Sequence, residues 1–99
     1  MLPRIAIDRQ RIADLCRRRH IRRLALFGSV LREDFGPESD VDVLVEFELG
    51  HVPGFGFVAI QDELSDLFGR AVDLHTPGSL SRYFRGHVVR EAQDQYVGG

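Results

Sequence analysis

A chain of 99 residues with 43% apolar and 28% charged side chains has room for one domain and one core, burying roughly 60–68% of its unfolded surface. This composition argues against a disordered tail. No apolar run approaches the ~20 residues of a membrane-spanning helix, and the opening MLPRIAIDRQRI is too charged for a signal-peptide core, so no membrane is involved and the cytoplasm is the expected compartment. Cys16 is the one cysteine, which leaves no internal disulfide and no Cys-based zinc site, and it reads as a buried, inert thiol. The formal net charge of −2 hides an uneven distribution: RRRHIRR at 17–23 is basic, whereas 33–48 and 61–66 are acidic. The basic run reads first as a solvated helix end, with arginine favoured at a helix C-terminus, and a polyanion-binding surface is the lesser reading.

In chain order, Asp8 is a candidate N-cap for an amphipathic helix over about 9–19, with Ile12, Leu15 and Cys16 at helical spacing. RRLALF at 22–27 reads as a short strand that stops at Gly28, where the chain must turn; Ser29 to Arg32 then fits a single helical turn. EDFGPES is a cluster of breakers and reads as loop. In DVDVLVEF the side chains alternate, so Val41, Val43 and Val45 face the helices while Asp40, Asp42, Leu44 and Glu46 face the other way. After the glycine-rich ELGHVPGFG loop, Phe57, Ile60, Leu64, Leu67 and Phe68 mark a second helix closed by Gly69. RAVDL at 70–74 is a third strand with Ala71 and Asp73 on one face, HTPGS is a turn, and about 79–95 reads as one or two helices that use Leu80, Tyr83, Phe84, Val88, Val89, Ala92 and Tyr96. The order predicts an α+β (or α/β) single domain over 1–99, with a small mixed sheet covered by helices on one face.

The acids on the other face suggest chemistry. Residues i and i+2 of a strand project the same way, so Asp40 and Asp42 present carboxylates side by side; like charges so close share a proton or need a cation between them, and hard oxygen ligands suit Mg²⁺ or Mn²⁺. If the strand of 70–74 lies beside that of 40–47, Asp73 brings a third carboxylate, and three acids can hold two ions for in-line attack on phosphorus. Gly28-Ser29 supplies the complement: a glycine at a strand end lets backbone N–H groups approach an anion, a helical turn starting at Ser29 adds its positive end and a hydroxyl, and Arg32 is placed to add a forked donor. His75, two residues after Asp73, could face the same cleft, but it reads first as a turn or surface histidine and is not counted among the catalytic residues. Phe55 or Phe57 in the GHVPGFGF loop suits either closure over a nucleotide base or the seating of a partner.

With these residues in hand, GSVLREDFGPESDVDVLVEF resembles the signature of the minimal nucleotidyltransferases of the DNA polymerase beta superfamily: Gly-Ser, an arginine, then Ser-Asp-x-Asp and an apolar strand ending in an acid and Phe. Gly28, Ser29, Arg32, Ser39, Asp40, Asp42 and the strand through Phe47 meet that pattern, and the similarity runs on through GRAVDLHTPGSLS at 69–81. The resemblance implies the nucleotidyltransferase fold and transfer of a nucleoside monophosphate, AMP from ATP, onto an acceptor hydroxyl. It implies that Asp40 and Asp42 bind both Mg²⁺ ions (Mn²⁺ in their place), that Asp73 completes the metal site and helps deprotonate the acceptor, and that Gly28, Ser29, Arg32 and Ser39 bind the nucleotide. Free-standing proteins of this kind and size resemble the antitoxin half of a pair whose other half is a HEPN toxin, which makes a toxin tyrosine hydroxyl the expected acceptor and a HEPN protein the expected partner. The alternative is a non-catalytic antitoxin that inhibits its partner by occlusion; transfer onto RNA or a small molecule is a third reading.

Overall fold

The computed structural model describes residues 8–31, 36, 39–51, 54, 56–80 and 82–98, the side chains at 82 and 84 excepted. Helix α1 (Arg9–Arg18) opens where expected: Asp8 is extended at φ −98° and its Oδ1 accepts from the Arg11 backbone N–H at 3.1 Å, satisfying one of the first-turn donors. Strand β1 (Ile21–Phe27) follows, then a 3-10 turn over Gly28–Leu31, strand β2 (Val41–Phe47), helix α2 (Gly56–Phe68) and strand β3 (Val72–His75). A second short 3-10 turn at Pro77–Ser79, helix α3 (Arg82–Glu91) and strand β4 (Gln93–Val97) complete the order. Helix α2 ends as its glycine requires, with Gly69 at φ +69° and its N–H donating to Ser65 O at 2.9 Å.

The sheet order is β3-β2-β1-β4. Strand β1 is antiparallel to both neighbours, whereas β2 and β3 are parallel and joined by the α2 crossover. The expected mixed sheet is therefore present, with one more strand than the sequence suggests. Residues 93–95 are a correction: Val88, Val89, Ala92 and Tyr96 continue a helical spacing, but helix α3 stops at Glu91 and the chain pairs with the otherwise open edge of β1, Leu24 opposite Tyr96. Edge pairing outweighs the local pattern. Tyr96 then packs on the core from a strand, while no described side chain of α3 is buried.

One face of the sheet carries the core. Leu24 and Leu26, then Val41, Val43 and Val45, then Val72 and Leu74 meet Ile12, Leu15 and Cys16 of α1 and Ile60 and Leu64 of α2 in one cluster. The valine face is thus the helix-covered one. Burying Ile60 and Leu64, each almost fully enclosed, contributes ~1.5–3 kcal/mol apiece. Cys16 belongs to this cluster, and burial pushes its thiol up to about 12, which makes it the inert group expected.

The basic run is absorbed by ion pairs. Arg17 meets Asp14 at 3.0 Å, Arg18 and Arg19 both reach Glu63 of α2, and Arg22 and Arg23 share Glu46 at 2.7 and 3.1 Å. Arg23 also donates to Asp94 of β4 at 2.6 Å. Hydrogen bonding from Arg19 holds the Glu63 carboxyl below its ordinary range.

Strand β3 is an edge, yet its outward donors are satisfied by helix α2: Val72 N–H donates to Ser65 Oγ at 3.1 Å and Leu74 N–H to Gln61 Oε1 at 3.2 Å. These two bonds set the height of the strand that bears Asp73. We expect Ser65→Ala, which leaves the Val72 N–H without that acceptor, to lower stability by about 1 kcal/mol and to speed amide exchange at Val72 more than at Leu26 in the sheet centre. Equal protection at Val72 in both proteins would show that the hydroxyl is dispensable.

Candidate active site

The site is built by register. Phe27, the last residue of β1, is paired with Asp42, and Asp42 is paired on its other side with Asp73. Because pairing partners share a face, the two carboxylates stand side by side on the face opposite helices α1 and α2. One step further along, Leu44 is paired with His75, which places an imidazole on that same face. His75 Nε2 lies 3.1 Å from Asp73 Oδ2 and 3.7 Å from Asp42 Oδ1, and its ring meets Phe27 edge-on with centroids 5.4 Å apart.

Gly28 closes the strand immediately beside this pair. Its φ of +76° belongs to the left-handed region, and a Cβ there would collide with Asp42 Oδ2 and stand 3.3 Å from Cγ. Glycine is required twice over, for the turn and for the approach of Asp42. Ser29, half-buried, sits inside the following 3-10 turn. The Gly-Ser turn and the paired acids are thus adjacent in space, as the sequence suggests.

Asp40 precedes β2 and is exposed. It lies outside the group of Asp42, Asp73 and His75, whose ligand atoms lie within 4.8 Å of one another, though its charge is felt at Asp42. Ser39 has a local role: its Oγ accepts from Gly36 N–H at 3.1 Å and its own N–H donates to Gly36 O at 3.1 Å, and this closes the turn that delivers Asp40. The Gly36 carbonyl also accepts from the Arg70 guanidinium. Arg32 and Phe55 lie outside the described residues. Phe57, half-buried, packs against the core.

His75, which reads first as a turn or surface residue, instead belongs to the site. The strand runs to residue 75 rather than 74, so His75 alternates onto the face of Asp73 instead of entering a loop. The signal was the i, i+2 spacing of the two residues.

Burial is the main force raising the Asp42 carboxyl above its ordinary range, and the charges of Asp73 and Asp40 push the same way; His75 opposes them. The metal-free site is therefore electrostatically frustrated. Two carboxylates and one imidazole within 4.8 Å form a donor set that fits a divalent cation, which would relieve the repulsion that raises Asp42.

Comparison with known proteins agrees with this geometry. Residues 9–97 match the nucleotidyltransferase domain family. Protein adenylyltransferase MntA of Thermococcus cleftensis is 36% identical over 72 residues, 72% of this chain and 71% of that protein. A solved structure assigned as a minimal nucleotidyltransferase superposes with a TM-score of 0.72 at 34% identity, covering 86% of each chain. A complex of the tri-AMPylated Shewanella oneidensis HEPN toxin with its MNT antitoxin superposes with a TM-score of 0.64 at 21% identity, covering 90% of this chain and 69% of that one, and shares the fold. By the match across almost its whole length and by its Gly-Ser turn set against paired aspartates, the chain belongs to the nucleotidyltransferase domain family, in its minimal form.

Proposed function

We propose that this protein is an MntA-like antitoxin, a protein adenylyltransferase that moves AMP from ATP onto a hydroxyl of a cognate HEPN toxin, a tyrosine being the leading acceptor, and so neutralises it. The observation that carries the reading is the pairing of Asp42 with Asp73 beside a glycine that Asp42 crowds. The relatives named above supply the reaction and the partner: an adenylyltransferase in one case and an AMPylated HEPN toxin held by its antitoxin in another.

In this reading Asp42 and Asp73, with Asp40 at the rim, would hold Mg²⁺, with Mn²⁺ as its substitute, while His75 stands beside them as the partner of Asp73. A divalent ion held there would supply charge neutralisation for the triphosphate and for the ionised acceptor. Gly28 and Ser29 bring backbone donors to the phosphates, and Arg32 and Ser39 are assigned to nucleotide binding by the family pattern. The acceptor oxygen bonds to the α-phosphorus, the bond from that phosphorus to the oxygen bridging to the β-phosphate breaks, and pyrophosphate leaves. Asp73, half exposed and facing the cleft, takes the acceptor proton. His75 holds the Asp73 carboxylate toward Asp42. No side chain acts as a covalent nucleophile, so rate comes from positioning and charge.

The decisive experiment incubates the full chain with Mg²⁺, ATP labelled on the α-phosphate and the product of the adjacent gene, then weighs that partner by mass spectrometry. Gain of one or more AMP units, with label retained on the partner, is the expected result. A stable complex whose partner keeps its mass would replace this reading with inhibition by occlusion.

A further inference from the structure

At the opposite end of the sheet from Asp42, the turn between α1 and β1 meets the loop that leaves β2. Six residues of strand separate the two ends, about 20 Å at the rise of a β-strand. Here His20 and His51 stack face to face, with centroids 4.0 Å apart and planes inclined by 15°, and His20 Nδ1 lies 4.0 Å from Glu48 Oε1. One ligand atom from each of His20, Glu48 and His51 falls within 4.8 Å of the others.

The backbone holds these three residues in a frame. Glu48 N–H donates to His20 O at 2.8 Å and His51 N–H donates to Glu48 O at 3.0 Å, across a turn completed by Gly50 at φ +81°. His20 itself adopts φ +57°, and among the described residues it is the one non-glycine with a positive φ. A left-handed histidine is uncommon and costs about 1 kcal/mol or more. The conformation delivers its ring to the ring of His51. An exposed ion pair between His20 and Glu48 would be worth little and would have no use for a second imidazole.

We infer that His20, Glu48 and His51 form a second metal site, specific for a zinc-class divalent ion and separate from the nucleotide cleft. Two imidazole nitrogens and one carboxylate oxygen are the donors of a tetrahedral Zn²⁺ centre whose fourth position takes water, whereas Mg²⁺ prefers oxygen alone. Zn–N distances of about 2.0–2.1 Å put neighbouring donors roughly 3.3 Å apart. Rotation of the exposed side chains about their χ angles closes the remaining gap and turns the two ring edges toward one point. The bound ion ties the α1–β1 turn to the loop after β2, and it fastens the end of the sheet that the nucleotide does not reach.

The test titrates metal-free full-length Asp42→Asn protein with Zn²⁺ alone, because that substitution weakens uptake at the cleft. We expect one Zn²⁺ per chain, a rise in Tm on binding, and shifted imidazole resonances from His20 and His51 among the four histidines of the chain. His51→Ala and His20→Asn, the latter chosen because asparagine tolerates positive φ, should each weaken that uptake by at least about tenfold, while a large excess of Mg²⁺ leaves it unchanged. In an otherwise native chain, His51→Ala should leave AMP transfer intact, which certifies the fold. Zn²⁺ uptake that survives both substitutions, resonance shifts confined to His75 and His87, or no uptake at all would overturn the assignment.

Discussion

Replacing Asp42 with asparagine should abolish AMP transfer and, in the absence of metal, make the protein more stable. Both effects follow from the same side chain. On the side of activity, Asp42 is the central member of the row Phe27, Asp42, Asp73 and is approached by both Gly28 and His75. Asparagine keeps the shape but loses the charge proposed to bind a divalent ion, so transfer should fall by about a thousandfold or more, in the range seen when a principal electrostatic group is removed. ATP-dependent labelling of the partner measures this directly.

On the side of stability, the sign comes from the raised carboxyl. Its folded-state value lies above the ordinary 3.8, first because of burial and then because of Asp73 and Asp40. A carboxyl raised on folding stabilises the fold when protonated, and that contribution is lost as pH rises from 3.8 through the folded value. At neutral pH the native metal-free protein therefore carries an ionised Asp42 in surroundings that disfavour it. The asparagine variant does not. A gain of ~1 kcal/mol would raise Tm by about 4–8 °C in a domain of this size. Melting in EDTA at pH 7 should show the variant above the native chain, the gap closing as pH falls through the window. Mg²⁺ with ATP should lift the native chain and leave the variant unmoved. A variant that melts lower in EDTA would make Asp42 a structural carboxylate and remove the frustration argument.

What could be read in advance was whatever depends on local period and capping. Asp8 as an N-cap, Gly69 as a helix stop and the division of DVDVLVEF into a valine face and an acid face are local, and the structure shows each of them. The meeting of Asp42 and Asp73 was legible only as a condition, because no spacing in one strand dictates which strand will lie beside it or in what register. His75 depends on that same register and on one more residue of strand, so its spacing from Asp73 allows it to face the cleft but does not outweigh the HTPGS turn. Strand β4 was hidden for a related reason. Its partner, β1, lies some seventy residues earlier, and nothing near Tyr96 announces an open sheet edge waiting for it; the helical spacing of the preceding valines was the stronger local signal. The arginine run was ambiguous until its acids were located, because Glu63, Glu46 and Asp94 come to it from three different elements.

Gly28→Ala carries the second large effect, and Gly69→Ala is its control. Both glycines have left-handed φ, +76° and +69°, so alanine meets the same backbone penalty of about 1–2 kcal/mol at each. They differ in what a methyl group would touch. At Gly69 nothing lies within 4 Å, whereas at Gly28 the new Cβ overlaps Asp42 Oδ2 and crowds Cγ at 3.3 Å. The Asp42 side chain is 28% exposed and has room to swing aside, so the collision should be relieved by moving the carboxylate rather than by unfolding the strand. Gly28→Ala is therefore expected to destabilise by about 1–3 kcal/mol and to lose nearly all AMP transfer and Mg²⁺-dependent stabilisation. Gly69→Ala should melt at a similar temperature and retain transfer. Truncating the neighbour separates the two causes further: in an Asp42→Ala background the steric part disappears, and Gly28→Ala should cost no more than Gly69→Ala does, so a double-mutant cycle reads the collision alone. If Gly28→Ala kept its transfer activity while Asp42→Asn lost it, the glycine would serve the turn only and the close approach of the two residues would have no part in catalysis.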